Sequence, residues 1–550
     1  MLEGILSQIN KPGRYIGEEW NISKKDFDKA EIKFALCFPD LYEVGMSNLG
    51  MRIIYGILNN IDDVACERFF AVAYDMEMAL RNSHQEIFSL ESKRPMREFD
   101  IIGFSLGYEL SYTNVLNILD LGNIPLESDK RDNSYPLIIG GGPCALNPEP
   151  MARFFDCFLI GEAEEAIVEL ADVYRKFKQG HKGAQDKKLL LEELSGIEGV
   201  YVPLLKAKQG KIKKRILKDF NQAYFPSPWL VPHLQIVHDR VSLEIMRGCP
   251  NQCLFCQAKA QYYPCRIRKP QEVMRLASGS YQESGYEEFS LCGLSVSDYP
   301  YLEELLFGMV NFFKDKAVSV SLPSIKPKEK IGDFSGLIAT VKKTGLTFAP
   351  EAGTAKLRES LRKDFDEENF FKGILKASEA GYRRLKLYFM VGLPLEEEKD
   401  LEAIVEFSLK ASEVRTEAGK RRLEVNISVN PLIPKPHTPL ERLGMQGLDE
   451  LKNKREILRK KIARYRNLKL NFHNPQMSIL EGILSRGDRK LGSVIESAFR
   501  KGARFDAWDD YFVFQRWLEA FQESGIDYNF YLQERAKDEP LPWDFIDVGV

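Results

Sequence analysis

Two long stretches of this chain alternate short apolar runs with segments of helical periodicity, and that pattern commits each of them to a parallel sheet with helical crossovers. The first spans about residues 30–180. Its candidate strands are EIKFALCF (31–38), FDIIGFSL (99–106), PLIIG (136–140) and FFDCFLI (154–160), with helical character in 46–59 and 112–121. These runs are almost unbroken, as expected where helices cover both faces of a sheet, so an open Rossmann-like sheet is predicted. The second stretch spans about 240–432. Strands are expected at 241–247, 287–293, 317–323, 345–350, 383–391 and 422–430, with helices such as 270–283, 300–314, 366–380 and 396–418 between them. Six βα units predict a barrel-like parallel sheet, whose chemistry gathers at the C-terminal ends of the strands.

The remaining segments are of other kinds. GVYVPLLKAKQGKIKKRILKDF (199–220) has two alternating runs around Gln209 and Gly210, which predicts a β-hairpin; its seven basic residues from Lys206 to Lys218 fit solvated faces. FPSPWLVPH (225–233) holds three prolines and marks a boundary. From 445 to 550 the pattern is mainly helical. LKNKREILRKKIARYRNLKL (451–470) carries nine Lys or Arg, and Leu451, Leu458, Ile462 and Tyr465 form an apolar stripe. A packed helix with a basic outer face is the favoured reading, and RNA contact the less favoured one. The α/β chain therefore divides into an N-terminal extension with the Rossmann-like domain (1–180), a connector (181–235), the partial barrel (236–444) and a mainly helical region (445–550).

Of the 550 residues, 44% are apolar and 29% charged, as in ordinary soluble globular proteins. A net charge of −3 argues against a surface built wholly for nucleic acid. The first twenty residues lack a positive segment followed by an apolar one, and no uninterrupted apolar run reaches membrane-spanning length. The expected location is the cytosol. There a crowd of cysteines signals a metal or redox site rather than disulfides. Cys249, Cys253, Cys256 and Cys265 form such a crowd, while Cys37, Cys66, Cys144, Cys157 and Cys292 are scattered and read as small buried hydrophobes.

MRGCPNQCLFC (246–256) sits just past the first strand of the second stretch. Thiolates suit zinc and iron–sulfur clusters. A structural zinc wants four ligands, and Cys265 or a distant histidine would have to supply the fourth. Three thiolates on a four-iron cube leave one iron open for a substrate or cofactor. The spacing alone leaves both readings open.

Cys-x3-Cys-x2-Cys, with Phe255 before the last cysteine, a strand ahead and five further βα units behind, resembles the signature of the radical S-adenosylmethionine (SAM) superfamily. The resemblance implies a 4Fe-4S cluster on Cys249, Cys253 and Cys256, with SAM on the open iron. It also implies a (βα)6 partial barrel whose first strand leads into the cysteine loop, and reductive cleavage of SAM to a 5′-deoxyadenosyl radical that abstracts hydrogen from a substrate. Cys265 falls outside the pattern. The implied SAM contacts are Phe255, then Gly293 and Ser295 in SLCGLSVSDYP (290–300), Glu351 in FAPEAGTAKLRE (348–359) and Gly392 in LKLYFMVGLPLEEEKDL (385–401). Plain turns, the first capped by Ser297 or Asp298, would account for the same residues. His437, in ISVNPLIPKPHTPLE (427–441), reads as structural.

The first domain resembles the cobalamin-binding type found in many radical SAM proteins. Asp40-Leu41-Tyr42-Glu43-Val44-Gly45 matches D-x-H-x-x-G except that Tyr42 stands in the histidine position, and no histidine precedes His84. A phenol with an ordinary pKa of about 10 is a poor cobalt ligand, so cobalamin is implied without histidine ligation. The other implied contacts are Ser105 in GFSLGYELSYTN (103–114), Gly140, Gly141 and Gly142 in IGGGPCALNPEP (139–150), and Gly161 and Glu162 in DCFLIGEAEEAI (156–167). Glu162, Glu164 and Glu165 also suit a helix N-terminus without any ligand. Together these stretches resemble cobalamin-binding-domain radical SAM proteins over about 30–440, and the tail (483–512) resembles the end of a bacterial subgroup of that family.

The implied function is a transferase-type radical SAM enzyme in which cobalamin delivers a methyl group to an unactivated carbon. Its expected partner is a reducing protein such as flavodoxin or ferredoxin. Two other readings stand beside it. One is an RNA-modifying radical SAM enzyme, performing methylation or methylthiolation; Cys37, Cys66, Cys144 and Cys157 lack the close spacing of the second cluster that methylthiolating relatives carry. The other is a non-catalytic, zinc-stabilised assembly module.

Overall fold

The first alternating stretch folds into one sheet whose strands are β1 (Ile32–Phe38), β2 (Val64–Phe70), β3 (Ile101–Ser105), β4 (Leu137–Gly141), β5 (Cys157–Leu159) and β6 (Val200–Tyr201), in the order β2-β1-β3-β4-β5-β6. All neighbours run parallel except β5 and β6. The computed structural model describes residues 2–180, 186–321, 346–379, 381–414 and 422–550. Along β1 the side chains alternate between two cores: Phe34, Leu36 and Phe38 enter one, Ala35 and Cys37 the other. Helices Leu49–Asn59 and Ala166–Gly180 cover the first face. Helix Tyr112–Leu121 covers the second, as the periodicity predicts.

Strand β2 was not expected. Its sequence VACERFF carries two charges in the middle, which breaks the apolar run, yet all seven residues are buried. The charges are matched inside. Arg68 reaches Glu19 at 2.8 Å and Glu91 at 2.6 Å, and Glu67 accepts from the Ser92 hydroxyl at 2.7 Å. A buried guanidinium held by two carboxylates satisfies the condition under which charge is tolerated in a core.

The expected hairpin at 199–220 does not form. β6 pairs with β5, a 3-10 turn (Pro203–Leu205) and a helical turn (Lys206–Gln209) follow, and β7 (Ile212–Lys213) lies elsewhere. Nor is the basic run all solvated. Lys214 is buried, donating to the carbonyls of Ala260 (2.6 Å) and Tyr263 (3.1 Å), and the buried Arg215 pairs with Glu165 and Glu169. Alternation finds strands but not their partners; tertiary contacts choose those.

The second stretch supplies β8 (Val241–Glu244), a short ribbon of β9 (Met246–Arg247) against β10 (Arg266–Ile267), then β11 (Glu288–Cys292), β12 (Ser319–Ser321), β13 (Leu346–Glu351), β14 (Arg384–Val391) and β15 (Glu424–Pro431). They build two parallel arcs, β12-β11-β8 and β13-β14-β15, and the second is extended by β16 (Leu468–Phe472). The six expected strands therefore gain a seventh, donated by the region read as mainly helical, and the expected division at 445 cuts through one sheet. Positions 322–323, 345, 380 and 415–418 of the expected elements lie outside the described residues.

The basic segment is helical over Leu448–Ile462, with Leu451, Leu458 and Ile462 buried; Lys454 pairs with Glu396 and Lys461 with Glu402 on the barrel side. Helices Pro475–Ser485, Leu491–Arg500 and Phe514–Glu523 share one continuous core with the first sheet and the β13–β16 arc. β17 (Ile546–Asp547) pairs in parallel with β7. Among the described residues no helix is long and apolar enough to cross a membrane.

A charge cluster pins three regions together. Lys435, past β15, meets Glu109 from the loop after β3 at 2.7 Å and Glu481 from helix Pro475–Ser485 at 2.9 Å; the Tyr108 hydroxyl also donates to Glu481. Lys435→Met strands two carboxylates and is expected to cost about 3–5 kcal/mol, read as a lower urea midpoint, most of which returns when Glu109→Gln and Glu481→Gln are added. Asp506 is buried between Thr113 and Trp517, and burial raises its carboxyl to about 6 despite both hydrogen bonds. The folded chain thus holds a proton there that the unfolded chain releases, so this group's contribution falls as pH rises from about 4 to about 6, by roughly 3 kcal/mol. Asp506→Asn should flatten that part of the pH–stability profile in thermal melts and leave the protein at least as stable at pH 7.

Candidate functional site

The cysteine loop leaves β9 through Gly248, where φ is +89° and an added Cβ would stand 2.7–2.9 Å from backbone atoms of Tyr262, Pro264 and Cys265. Glycine is required there by both conformation and space. The loop is then held on several sides. The Leu254 amide donates to the Leu361 carbonyl at 3.0 Å, and Gln257 Nε2 donates to the Pro436 carbonyl at 3.2 Å. Lys214 caps the turn that follows. Phe255 packs in a small apolar cluster with Ala352, Leu357, Leu361, Leu393 and Leu432, which come from the ends of β13, β14 and β15 and the helix after β13.

Cys249, Cys253 and Cys256 are in no disulfide and half-buried, whereas Cys265 is exposed. The β9–β10 ribbon pairs Arg247 with Arg266, which sets Cys265 on the far limb opposite Gly248. Burial pushes the Cys256 thiol up. Among the described residues no three His, Cys, Asp or Glu side chains converge as ligands of a single metal ion. A cube makes a different demand, since each thiolate binds its own iron.

The expected SAM contacts sit around this loop at strand ends. Gly293 and Ser295 follow β11; an added Cβ on Gly293 would be 2.6 Å from Met246 Cγ, and the Ser295 hydroxyl donates to Asp298 at 2.6 Å. Glu351 ends β13 at a break in register, with φ +70°. Such a conformation at a carboxylate costs about 1–3 kcal/mol and is typical of functional positions. Burial pushes the Glu351 carboxyl up against the opposing pull of Lys363, 3.1 Å away. Gly392 follows β14 with φ +80°, and beside it Gln446 Oε1 is buried with no hydrogen-bond partner among the described residues.

Between the C-terminal edge of the first sheet and the start of the barrel lies a cavity of about 550 Å³. Ser105, Gly140, Gly141, Gly142, Gly161 and Glu162 line it, and it extends to Gly248 and Gly293. Its floor is bare backbone: an added Cβ on Gly107 would meet nothing within 4 Å, and one on Gly141 nothing nearer than 3.8 Å. Its wall carries a charge network that the residue pattern did not signal. Arg247 meets Glu164 at 2.6 Å and Glu244 at 2.9 Å, and Arg266 meets Glu162 at 2.6 Å. Burial would raise Glu162, but the hydrogen bond from Arg266, the charge of Arg247 and the Leu217 amide outweigh it and hold the carboxyl low.

Asp40, Tyr42 and Gly45 are not among the residues that line this cavity. The Tyr42 hydroxyl is buried against Glu19 at 2.9 Å, and burial with that neighbouring charge pushes its pKa far up. Asp40 accepts from the Leu41 amide and Trp508 Nε1. An added Cβ on Gly45 would strike the Phe70 ring at 2.2 Å. The stretch spaced like D-x-H-x-x-G is here a packed structural turn. His437 Nε2 lies 3.0 Å from the Leu146 carbonyl, a bridge between barrel and first domain.

A family model described as "Radical SAM proteins, N-terminal" matches residues 50–203, and one described as "Radical SAM superfamily" matches 243–408. The chain is 30% identical over 500 residues to "Uncharacterized protein MJ0966" of Methanocaldococcus jannaschii, across 90% of this chain and 98% of the relative. It is 23% identical over 305 residues to "Uncharacterized methyltransferase PH0819" of Pyrococcus horikoshii, across 51% of this chain and 59% of the relative. Among solved structures, the radical S-adenosylmethionine methyltransferase TsrM of Kitasatospora setae, with cobalamin and a 4Fe-4S cluster bound, superposes with a TM-score of 0.54 at 14% identity, over 85% of this chain and 98% of that one. That likeness is one of fold. The two matched models, in this order along the chain, and the relative shared over nearly its whole length establish that the chain belongs to the radical SAM superfamily, with a radical SAM N-terminal domain ahead of the radical SAM domain.

Proposed function

We propose that the chain is a cobalamin-dependent radical SAM enzyme that transfers a methyl group to an unactivated carbon. The observation that carries this reading is the continuity of the cavity: one space runs from the glycine floor of the first sheet to Gly248, beside the first cysteine, and Gly293. Cys249, Cys253 and Cys256 would hold the cluster, all three half-buried on a loop anchored by Leu254 and Gln257. Phe255, Gly293, Ser295, Glu351 and Gly392 would surround SAM, and the orphaned Gln446 acceptor beside Gly392 suits an amino donor such as a nucleobase carries. Ser105, Gly140, Gly141, Gly142, Gly161 and Glu162 would contact cobalamin, with the open backbone at Gly107 and Gly141 admitting a bulky ring. The turn at Asp40, Tyr42 and Gly45, closed by Glu19, Trp508 and Phe70, supplies no ligand to the metal, so cobalamin would sit without a histidine from this motif. When bound, these groups supply reductive cleavage of SAM and methyl transfer. The chain's own task is to position them and exclude water, which the half-buried loop and the enclosing Arg247–Glu164 wall are built to do. A small reducing protein would deliver the electron. TsrM, named as a methyltransferase with both cofactors bound, shares the fold.

Anaerobic reconstitution with iron and sulfide tests the reading. One four-iron cluster per chain, cobalt uptake from hydroxocobalamin and release of 5′-deoxyadenosine from SAM are expected; purified protein that takes up zinc and no iron would overturn it. Alanine at Cys249, Cys253 or Cys256 should each abolish iron retention, while Cys265→Ala should retain the wild-type iron content. Gly141→Val puts a side chain into the cavity and should cut cobalt uptake at least tenfold with iron content unchanged, measured by metal analysis and visible absorption.

A further inference from the structure

Asn251 lies between the first two cysteines of the loop, and its amide makes two contacts that together fix its orientation. Nδ2 is 3.2 Å from Cys249 Sγ and 2.9 Å from Asp298 Oδ2. A carboxylate and a cluster-bound thiolate are both acceptors, so the amide must present its NH2 group to them; the flipped rotamer would aim its carbonyl at two acceptors. Asp298 is itself held. Its Oδ2 also accepts from the Ser295 hydroxyl at 2.6 Å, and its backbone N–H donates to the Ser295 carbonyl at 2.9 Å in the 3-10 turn Val296–Asp298. Ser295 is buried. A chain of hydrogen bonds therefore runs Ser295–Asp298–Asn251–Cys249, from the loop after β11 to the sulfur of the first cysteine.

We infer that Asn251 sets the reduction potential of the cluster by donating to the Cys249 sulfur, and that Asp298 holds it in that pose; the inference rests on the cluster assignment proposed above. The physics is that of an outer-sphere donor. An N–H aimed at a ligand sulfur withdraws electron density, stabilises the more negative reduced cluster and raises its potential. Asn251 is thus a positioning residue acting through Cys249, and Asp298 one acting through Asn251. The same relay joins the loop carrying Gly293 and Ser295 to the cysteine loop, so the two cannot shift independently.

The experiment is a redox titration of the reconstituted full chain followed by electron paramagnetic resonance, without SAM. Iron content is read first: wild-type protein without iron removes the cluster assignment itself, a result distinct from any change in potential. With iron present, Asn251→Leu, which keeps the size and removes the donor, should lower the reduction equilibrium constant roughly tenfold, about 59 mV for a one-electron couple. Asp298→Glu, which keeps the charge and displaces the carboxylate from Asn251, should shift it in the same direction by less, and the double variant should fall no lower than Asn251→Leu alone. A loaded Asn251→Leu protein at the wild-type potential overturns the inference. If that variant does not load, Asp298→Glu decides in the same way. Failure of both to load also overturns it, because a bond that only adjusts potential is dispensable for assembly.

Discussion

Two guanidiniums hold the mouth of one sheet against the mouth of the other. Arg247 and Arg266 stand on the two limbs of the ribbon that brackets the cysteine loop, and both reach carboxylates at the end of β5: Glu164 for Arg247, Glu162 for Arg266. The pairs are largely shielded from water; Arg247 keeps Glu244 if Glu164 is lost, whereas loss of Glu162 would leave the Arg266 charge uncompensated, which costs far more than the net worth of the pair. The position of the cysteine loop over the cavity depends on this bridge. Lys214 and His437 add hydrogen bonds to backbone carbonyls across the same boundary.

With that bridge in place, the geometry of parallel sheets does the rest. In both sheets the loops that matter leave the C-terminal ends of strands, where helix N-termini and unpaired backbone converge. Gly141 and Gly161 close one side, and Gly248 and Gly293 the other. Side chains are pared away at the floor of the cavity, and charge is concentrated on its wall. The contrast with the solid cores on either side is plain, since three large apolar clusters fill the remaining interior.

Much of this was legible in the residues. Near-continuous apolar runs revealed β1, β3 and β4, and the helix at 112–121 was located to the residue. Gly140, Gly141, Gly142 and Gly161, which line the cavity, and the spacing of the cysteine loop stood out because close approach to backbone and the cluster proposed for that loop each call for one residue type. What escaped notice follows a physical rule as well. β2 hides behind Glu67 and Arg68, whose partners Glu19, Glu91 and Ser92 are distant in sequence. β16 hides behind Lys469 and Asn471 on an edge strand that needs only one apolar face. The Asp40–Gly45 stretch shows the converse. A motif spacing can survive while its residues are taken up by packing, and only the placement of Tyr42 against Glu19 reveals it.

The pairing of β17 with β7 has a consequence for the order in which the molecule closes. Residues 546–547 leave the ribosome after the first sheet, both arcs and the helices that cover them. Since chains fold from their N-terminal side during synthesis, the connector beside Lys214 lacks its strand neighbour until residues 546–547 have emerged. The segment that anchors the cysteine loop from behind is therefore among the last to be locked, and the latch is a clasp of two residues on each side.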